Sequence, residues 1–527
     1  MESNGKPELS RRDVFLIGSA IAGAALAEPI LRLVSSSADV ESPKPNVTGI
    51  SADASLPALP PLGVIALNRL GFGPRPGDID AFNALPGSTP AAQLQAYVDQ
   101  QLNPSAINDS VCDSHLAAAN LVTLTKSLTD LWANYYVYPA TVNNYDLRLP
   151  PIKDVTTAAI IRAVFSKRQL FELLVDFWHD HFNVFGWDYE YASATFVQYD
   201  RDVIRPNALG NFRKMLEAVG TSTAMLFYLN NNVSKASGPN ENYAREMLEL
   251  HTMGAENYLG TIPAGTVPLD TSGRPIGYVD DDVFAVARCF TGWRLNDTTW
   301  ETGVLNNGTF LYYPSWHDNG AKTVLGASIP ANQDLTVPMK DGRDVYDLVA
   351  SHPATGRHIA RKLCRRFISD NPPQTVVDAA AAVFTAQKDA PDQLSQVIRT
   401  IVLSPEFMST WAQKVKRPFE VSMNILRATM VDFTFVPDAF FWTFNRMGQQ
   451  LFAHHSPNGY SDVQQDWLGT MSILQRWALC NALLGGTINS NGVTWSVNPV
   501  SQMPATIVTP SDIADYWTNR ILGRPLY

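Results

Sequence analysis

Glu172-Leu173-Leu174-Val175-Asp176-Phe177-Trp178-His179-Asp180-His181-Phe182 reads as an amphipathic helix, with Glu172, Asp176, His179 and Asp180 at i, i+4, i+7 and i+8. One face becomes a stripe of acids and imidazole, while Trp178 and Phe182 mark this end as packed against other elements. A solvated polar face explains the stripe as well as a binding site does. His181 lies about 200° around the helix from His179, so both reach one ion only if the helix ends between them.

Outward from this stretch the periodicity stays helical. Apolar residues recur at three- and four-residue intervals over 92–102, 114–136 and 155–181, and again over 356–368, 375–387, 392–403, 418–430 and 466–484. Between them, residues 254–337 turn to Gly, Thr, Asn, Pro and aromatics, with one helical stretch at 281–291. No internal repeat is present. The expected fold is mainly α: a large multi-helix domain over 63–527 with a loop-rich, short-strand insertion at 254–337.

At 527 residues, 45% apolar and only 17% charged, the chain is globular, neither disordered nor a coiled coil. A formal charge of -10 argues against a nucleic-acid partner. At the N-terminus, Arg11-Arg12 precede the uncharged run 14–27, which closes on Ala25-Leu26-Ala27 in the layout of a signal peptide. That run is well short of the ~20 residues of a permanent membrane span. Its paired arginines resemble a twin-arginine signal, with one extra residue, Val14, before Phe15; such a signal favours a periplasmic or extracellular destination and raises the prior for a bound metal. Residues 28–62, rich in Ser, Pro and Ala, read as a linker. Cys112, Cys289, Cys364 and Cys480 are too scattered for a thiolate metal site or a disulfide framework, although one or two disulfides remain compatible with export.

Two further segments carry chemistry. In Asn240-Glu241-Asn242-Tyr243-Ala244-Arg245-Glu246-Met247-Leu248-Glu249-Leu250-His251, Asn240 can cap a helix that Gly254 ends. An α-helix puts Asn242, Glu246 and Glu249 on one face and turns His251 elsewhere. Two carboxylates one turn apart either chelate a cation or hold one proton between them, ready for general acid catalysis. Ordinary salt-bridge spacing, Glu241 to Arg245 and Arg245 to Glu249, is the competing account. The second segment, Thr291-Gly292-Trp293 followed by Trp316-His317-Asp318-Asn319-Gly320-Ala321-Lys322, can bring imidazole and carboxylate to a cleft; turn chemistry alone also explains Asp318-Asn319-Gly320. His352-Pro353, His358 and His454-His455-Ser456-Pro457 are weaker candidates.

Together with Leu67-Asn68-Arg69-Leu70-Gly71-Phe72-Gly73 and Ile359-Ala360-Arg361-Lys362-Leu363, these motifs occur in an order that resembles the bacterial family of unknown function numbered 1800, over about residues 63–484. The resemblance implies a mostly helical exported protein and names no reaction. It also implies, as a partner, an exported protein of the unknown-function family 1501. The family's Pro-Pro-x-Val-x-Gly-Trp pattern appears here only as Ser456-Pro457-Asn458-Gly459-Tyr460.

No phosphate loop, dinucleotide fingerprint or nucleophile elbow stands in a strand-to-helix context. The expected function is therefore hydrolysis of a polysaccharide or glycoconjugate, with Glu246, Glu249, Asp318 and His317 as catalytic groups. Asn242, Arg245, Trp293 and Trp316 are the expected substrate-binding residues. Two alternatives use the same motifs: a divalent metal held by His179 and His181 with Glu246, Glu249 and His317, and a non-catalytic assembly or surface-binding protein.

Overall fold

Ser166-Lys167-Arg168 interrupt what the periodicity reads as one helix over 155–181, giving two helices, Pro150–Phe165 and Gln169–His181. The break is built by Asp109, which accepts from the Ser166 hydroxyl and the Lys167 amide at 2.7 Å each, while Ser166 Oγ accepts from the Arg168 amide. The stretch 114–136 is likewise divided, into Ser110–Ala118 and Leu128–Trp132, beyond Asn120 with its φ of 52°. The computed structural model describes residues 59–523 apart from 189, 191, 299–302, 304, 437, 485–487, 491, 492, 496, 497 and 499. The signal segment and most of the linker lie outside the described residues.

The chain is mainly helical, and residues Ala58–Tyr527 form one unit around a continuous apolar core. The helices Pro353–Phe367, Gln374–Ala386 and Gln393–Val402 pack in succession, burying Leu363, Phe367, Phe384 and Ile398. Among the described residues the named strands pair as antiparallel hairpins. Two of them, Trp293–Leu295 with Phe310–Tyr312 and Lys322–Val324 with Ala327–Ile329, lie inside the expected insertion, and a third pairs Ile488–Ser490 with Val493–Trp495. The turn Leu325-Gly326 has both φ angles positive, at 50° and 74°, as a two-residue hairpin turn matched to strand twist requires. Asp282 Oδ1 accepts from the Leu325 amide at 2.7 Å and holds it there.

Among the described residues three π-helical turns, Ala133–Val137, Tyr199–Ile204 and Met247–His251, interrupt the α pattern. A π turn aligns residues i and i+5 rather than i and i+4. This places Asp200 beside Arg205, whose Nε donates to both carboxylate oxygens at 3.1 and 2.9 Å. Among the described residues no helix is long and apolar enough to cross a membrane. The four cysteines are free, and burial pushes the thiols of Cys112 and Cys364 up to about 12.

Candidate functional site

The acid-imidazole stripe faces the interior. Glu172, His179 and His181 are buried, and each acid of the stripe meets a guanidinium. Glu172 takes Arg205 at 2.8 Å, and Arg417 donates to both Asp176 and Asp180. His179 Nε2 lies 3.0 Å from Asp200 Oδ1. Burial would raise the Asp200 carboxyl, but Arg205 and His179 outweigh it and hold that carboxyl well below the usual range. His181 faces the other way and donates from Nε2 to the His251 carbonyl at 3.1 Å. The helix runs through both histidines and ends at Phe182, so they diverge and do not share an ion.

His181 thereby touches the end of the segment carrying the paired carboxylates. Asn240 Oδ1 accepts from the Asn242 amide at 3.0 Å, opening the helix Glu241–Glu246, which runs directly into the π turn Met247–His251. Arg245 is committed to Glu241 and Asp280, at 3.3 Å each, and not to Glu249. Asn242 donates to the Leu229 carbonyl at 3.2 Å. Glu246 and Glu249 are half-buried and have no hydrogen-bond or ion-pair partner among the described residues. Burial first, and the neighbouring Glu249 charge second, push the Glu246 carboxyl up to about 7.

His251 closes the π turn and is wholly buried, its two ring nitrogens without partners among the described residues. Burial, then the charges of Lys362 and His358, hold its imidazole down at about 3, so it is neutral. The rings of His251 and His358 lie 6.1 and 6.3 Å from that of His181. The Glu246 charge reaches Tyr228, whose hydroxyl donates to the His455 carbonyl at 2.7 Å. Asn183 donates to the carbonyls of His454 and Ser456 at 2.9 and 2.8 Å. The loop with the altered family pattern therefore docks beside the same helix end. Gly459 makes this approach possible, because a Cβ there would sit 2.1 Å from the Asp180 carbonyl oxygen.

The remaining motif forms a different centre. His317 turns inward: Nδ1 donates to the Thr291 carbonyl at 2.8 Å, and Nε2 lies 3.3 Å from Asp341 and 3.5 Å from Asp334. Asp318 points away and forms a two-pronged pair with Arg288 at 2.7 and 3.1 Å. The expected His317-Asp318 pair is thus split, because adjacent residues in this extended turn face opposite sides. Trp293 is fully buried and packs edge-on against Phe290 and Phe310, leaving no ring face for a sugar. Trp316 is covered by cations, with Arg294 4.0 Å and Lys235 4.9 Å from its ring. One donor atom each from His317, Asp334 and Asp341 lie within 4.8 Å of one another, a set able to ligate a divalent ion. Lys322, wholly buried, places its ammonium on Asp341 and the Asp318 carbonyl, so a cation already stands at this cluster.

A protein-family model for proteins of unknown function, DUF1800, matches residues 65–527, nearly all of the chain. The chain belongs to the DUF1800 family. No curated protein and no solved structure matches it. In this DUF1800 protein the acid- and histidine-bearing motifs lie mainly at two places, the Glu246-Glu249 turn with His181 and the buried His317 cluster. The five expected metal ligands do not meet: His179 is taken by Asp200, His181 by a carbonyl and His317 by two other acids. Sequence reasoning missed Lys322, Asp334 and Asp341 as a set, and Asn183 and Tyr228 as neighbours of the carboxylates. The signal available for Lys322 was its place five residues after His317; nothing local marked Asp334 or Asp341.

Proposed function

We propose that this protein is an exported hydrolase that cleaves glycosidic bonds in a polysaccharide or glycoconjugate outside the cytoplasm. The observation that carries this reading is the Glu246-Glu249 pair: two half-buried carboxyl groups one turn apart with no ion partner among the described residues, one of which keeps its proton close to neutrality. Glu246 donates that proton to the leaving glycosidic oxygen. Glu249 attacks the anomeric carbon directly, forming a glycosyl ester as the protonated leaving oxygen departs. Water then releases the sugar as Glu246 takes a proton back. Asp318 is left out of the chemistry, since Arg288 holds its carboxyl below the usual range against the opposing effect of burial. The paired arginines and small-residue run at the N-terminus support export.

The test is release of reducing ends from a panel of neutral and acidic polysaccharides by protein purified from its export route. Wild type should be active, with Glu246→Gln and Glu249→Gln each losing at least about a hundredfold in kcat. Retention of full activity in both variants would defeat the reading.

A second reading, assembly with an exported partner of the unknown-function family 1501, is favoured by one surface feature. Met471, Leu474 and Trp477 stand exposed at 64%, 49% and 65%, in a row on the helix Thr470–Leu484. Co-purification lost on Trp477→Ser, with polysaccharide cleavage absent, would establish it instead.

A further inference from the structure

The motif Leu67-Asn68-Arg69-Leu70-Gly71-Phe72-Gly73 takes no part in the centres above, yet Leu67 and Gly73 line a cavity of about 560 Å³. That volume falls within the ~300–1,000 Å³ of small-molecule sites. The cavity lies where the helices Leu62–Arg69, Asp78–Asn83 and Pro90–Gln101 meet the Pro150–Phe165 helix and residue 427. Phe82, Leu85, Ile107 and Phe165 give it apolar walls.

Its polar groups are unevenly satisfied. Arg427 is fully engaged: Nε donates to the Gly73 carbonyl at 2.6 Å, Nη1 to the Val164 carbonyl at 2.7 Å and Nη2 to Asp78 at 3.2 Å. Asp78 accepts at Oδ2 from Arg427 and from the Arg75 backbone amide, the latter at 2.7 Å, so its charge is paired with Arg427. The Arg75 guanidinium, by contrast, lies 5.5 Å from the Phe165 ring centre and has no acceptor among the described residues. Lys167, exposed at the rim of the lining, has no anionic partner among the described residues. The buried Tyr97 packs against Phe82, lines the cavity and finds no partner for its hydroxyl among the described residues. With Arg427 and Asp78 cancelling, two cations and one hydroxyl donor remain unmatched beside aromatic and aliphatic walls. Half-buried Arg75 and exposed Lys167 keep access to water, but water in the cavity would also lie against apolar surface, whereas an anion with an apolar body matches both the net positive charge and the walls.

We propose that this cavity binds a small amphiphilic anion, its carboxylate or phosphate head between Arg75, Lys167 and the Tyr97 hydroxyl and its apolar body against Phe82, Leu85 and Phe165. The site is separate from the Glu246-Glu249 turn and stands whether or not that turn is catalytic.

Calorimetric titration of the full chain with decanoate, decyl phosphate, acetate, inorganic phosphate and decanol tests it. Saturable binding of decanoate or decyl phosphate, at least about tenfold tighter than that of acetate, inorganic phosphate or decanol, is expected, and the tighter of the two long-chain ligands identifies the head group. Arg75→Gln, which breaks no hydrogen bond, should weaken that binding about tenfold. Ala81→Trp, on the lining of the helix Asp78–Asn83, should block it with the melting temperature retained. No saturable binding of either long-chain anion, equal binding of decanol, or binding unchanged in both variants would overturn the proposal.

Discussion

Replacing Lys322 by Met isolates what the buried ammonium does. In the wild type it lies fully buried against Asp341, with His317 and Asp334 alongside. Removing one partner of a buried ion pair strands the other and costs about 3–5 kcal/mol. Burial would raise the Asp341 carboxyl, but hydrogen bonds from His317 and Lys322 hold it below the usual range. In the wild type this group therefore contributes stability above its unfolded pKa and loses it as pH falls through the depressed folded value. In Lys322→Met the stranded carboxyl shifts upward instead and is relieved by taking up a proton. The stability gap should accordingly be about 3–5 kcal/mol at pH 7 and close progressively toward pH 4. Urea unfolding of both proteins across that range measures it. A gap below about 1 kcal/mol at pH 7, or one that widens on acidification, would refute the argument. So would a rise in wild-type melting temperature with Mn²⁺ or Zn²⁺ that His317→Ala abolishes, because an ion rather than the ammonium would then hold the cluster.

Other perturbations follow from the same geometry. Asp200→Asn should destabilise by about 3–5 kcal/mol, since it leaves Arg205 short of a buried counter-charge beside His179, and thermal melts will read it. Gly292→Ala should cost about 1–3 kcal/mol, because φ is 79° and the added Cβ would lie 2.7 Å from the Tyr313 carbonyl. Glu246→Gln should change the pH dependence of stability: a carboxyl raised from 4.5 to about 7 favours the folded state below its unfolded pKa and loses that advantage as pH rises through 7. The shift corresponds to an upper figure of about 3 kcal/mol, reduced to roughly 1–2 by the solvent exposure of the side chain. The amide variant should therefore gain that much on wild type at pH 8 and nothing at pH 4, measured by denaturant unfolding.

The helices were legible because apolar periodicity depends on burial of one face, a local property of the sequence. The observed Pro353–Phe367, Gln374–Ala386 and Gln393–Val402 helices differ from the expected 356–368, 375–387 and 392–403 by at most three residues at either end. The break at 166–168 was not legible, because its cause is Asp109, nearly sixty residues away in the chain. The π turns were equally hidden. An α reading has no place for the π turn at 247–251, and it cannot foresee that Asp200 and Arg205 align. At the candidate site the residue types were visible and their partners were not. Whether Asp318 meets His317 or Arg288, and whether Trp293 is a platform or core, depends on which way an extended turn presents alternate side chains.

The proposed acid catalysis depends on Glu246 keeping a proton to near neutrality. Infrared titration of the protein carrying ¹³C-labelled glutamate carboxyl groups, with the Glu246→Gln spectrum subtracted, reads that proton directly. A protonated carboxyl band should disappear with a midpoint near 7, and that midpoint should move to lower pH in Glu249→Gln. A midpoint at the ordinary glutamate value of about 4.3, unaffected by Glu249→Gln, would contradict it.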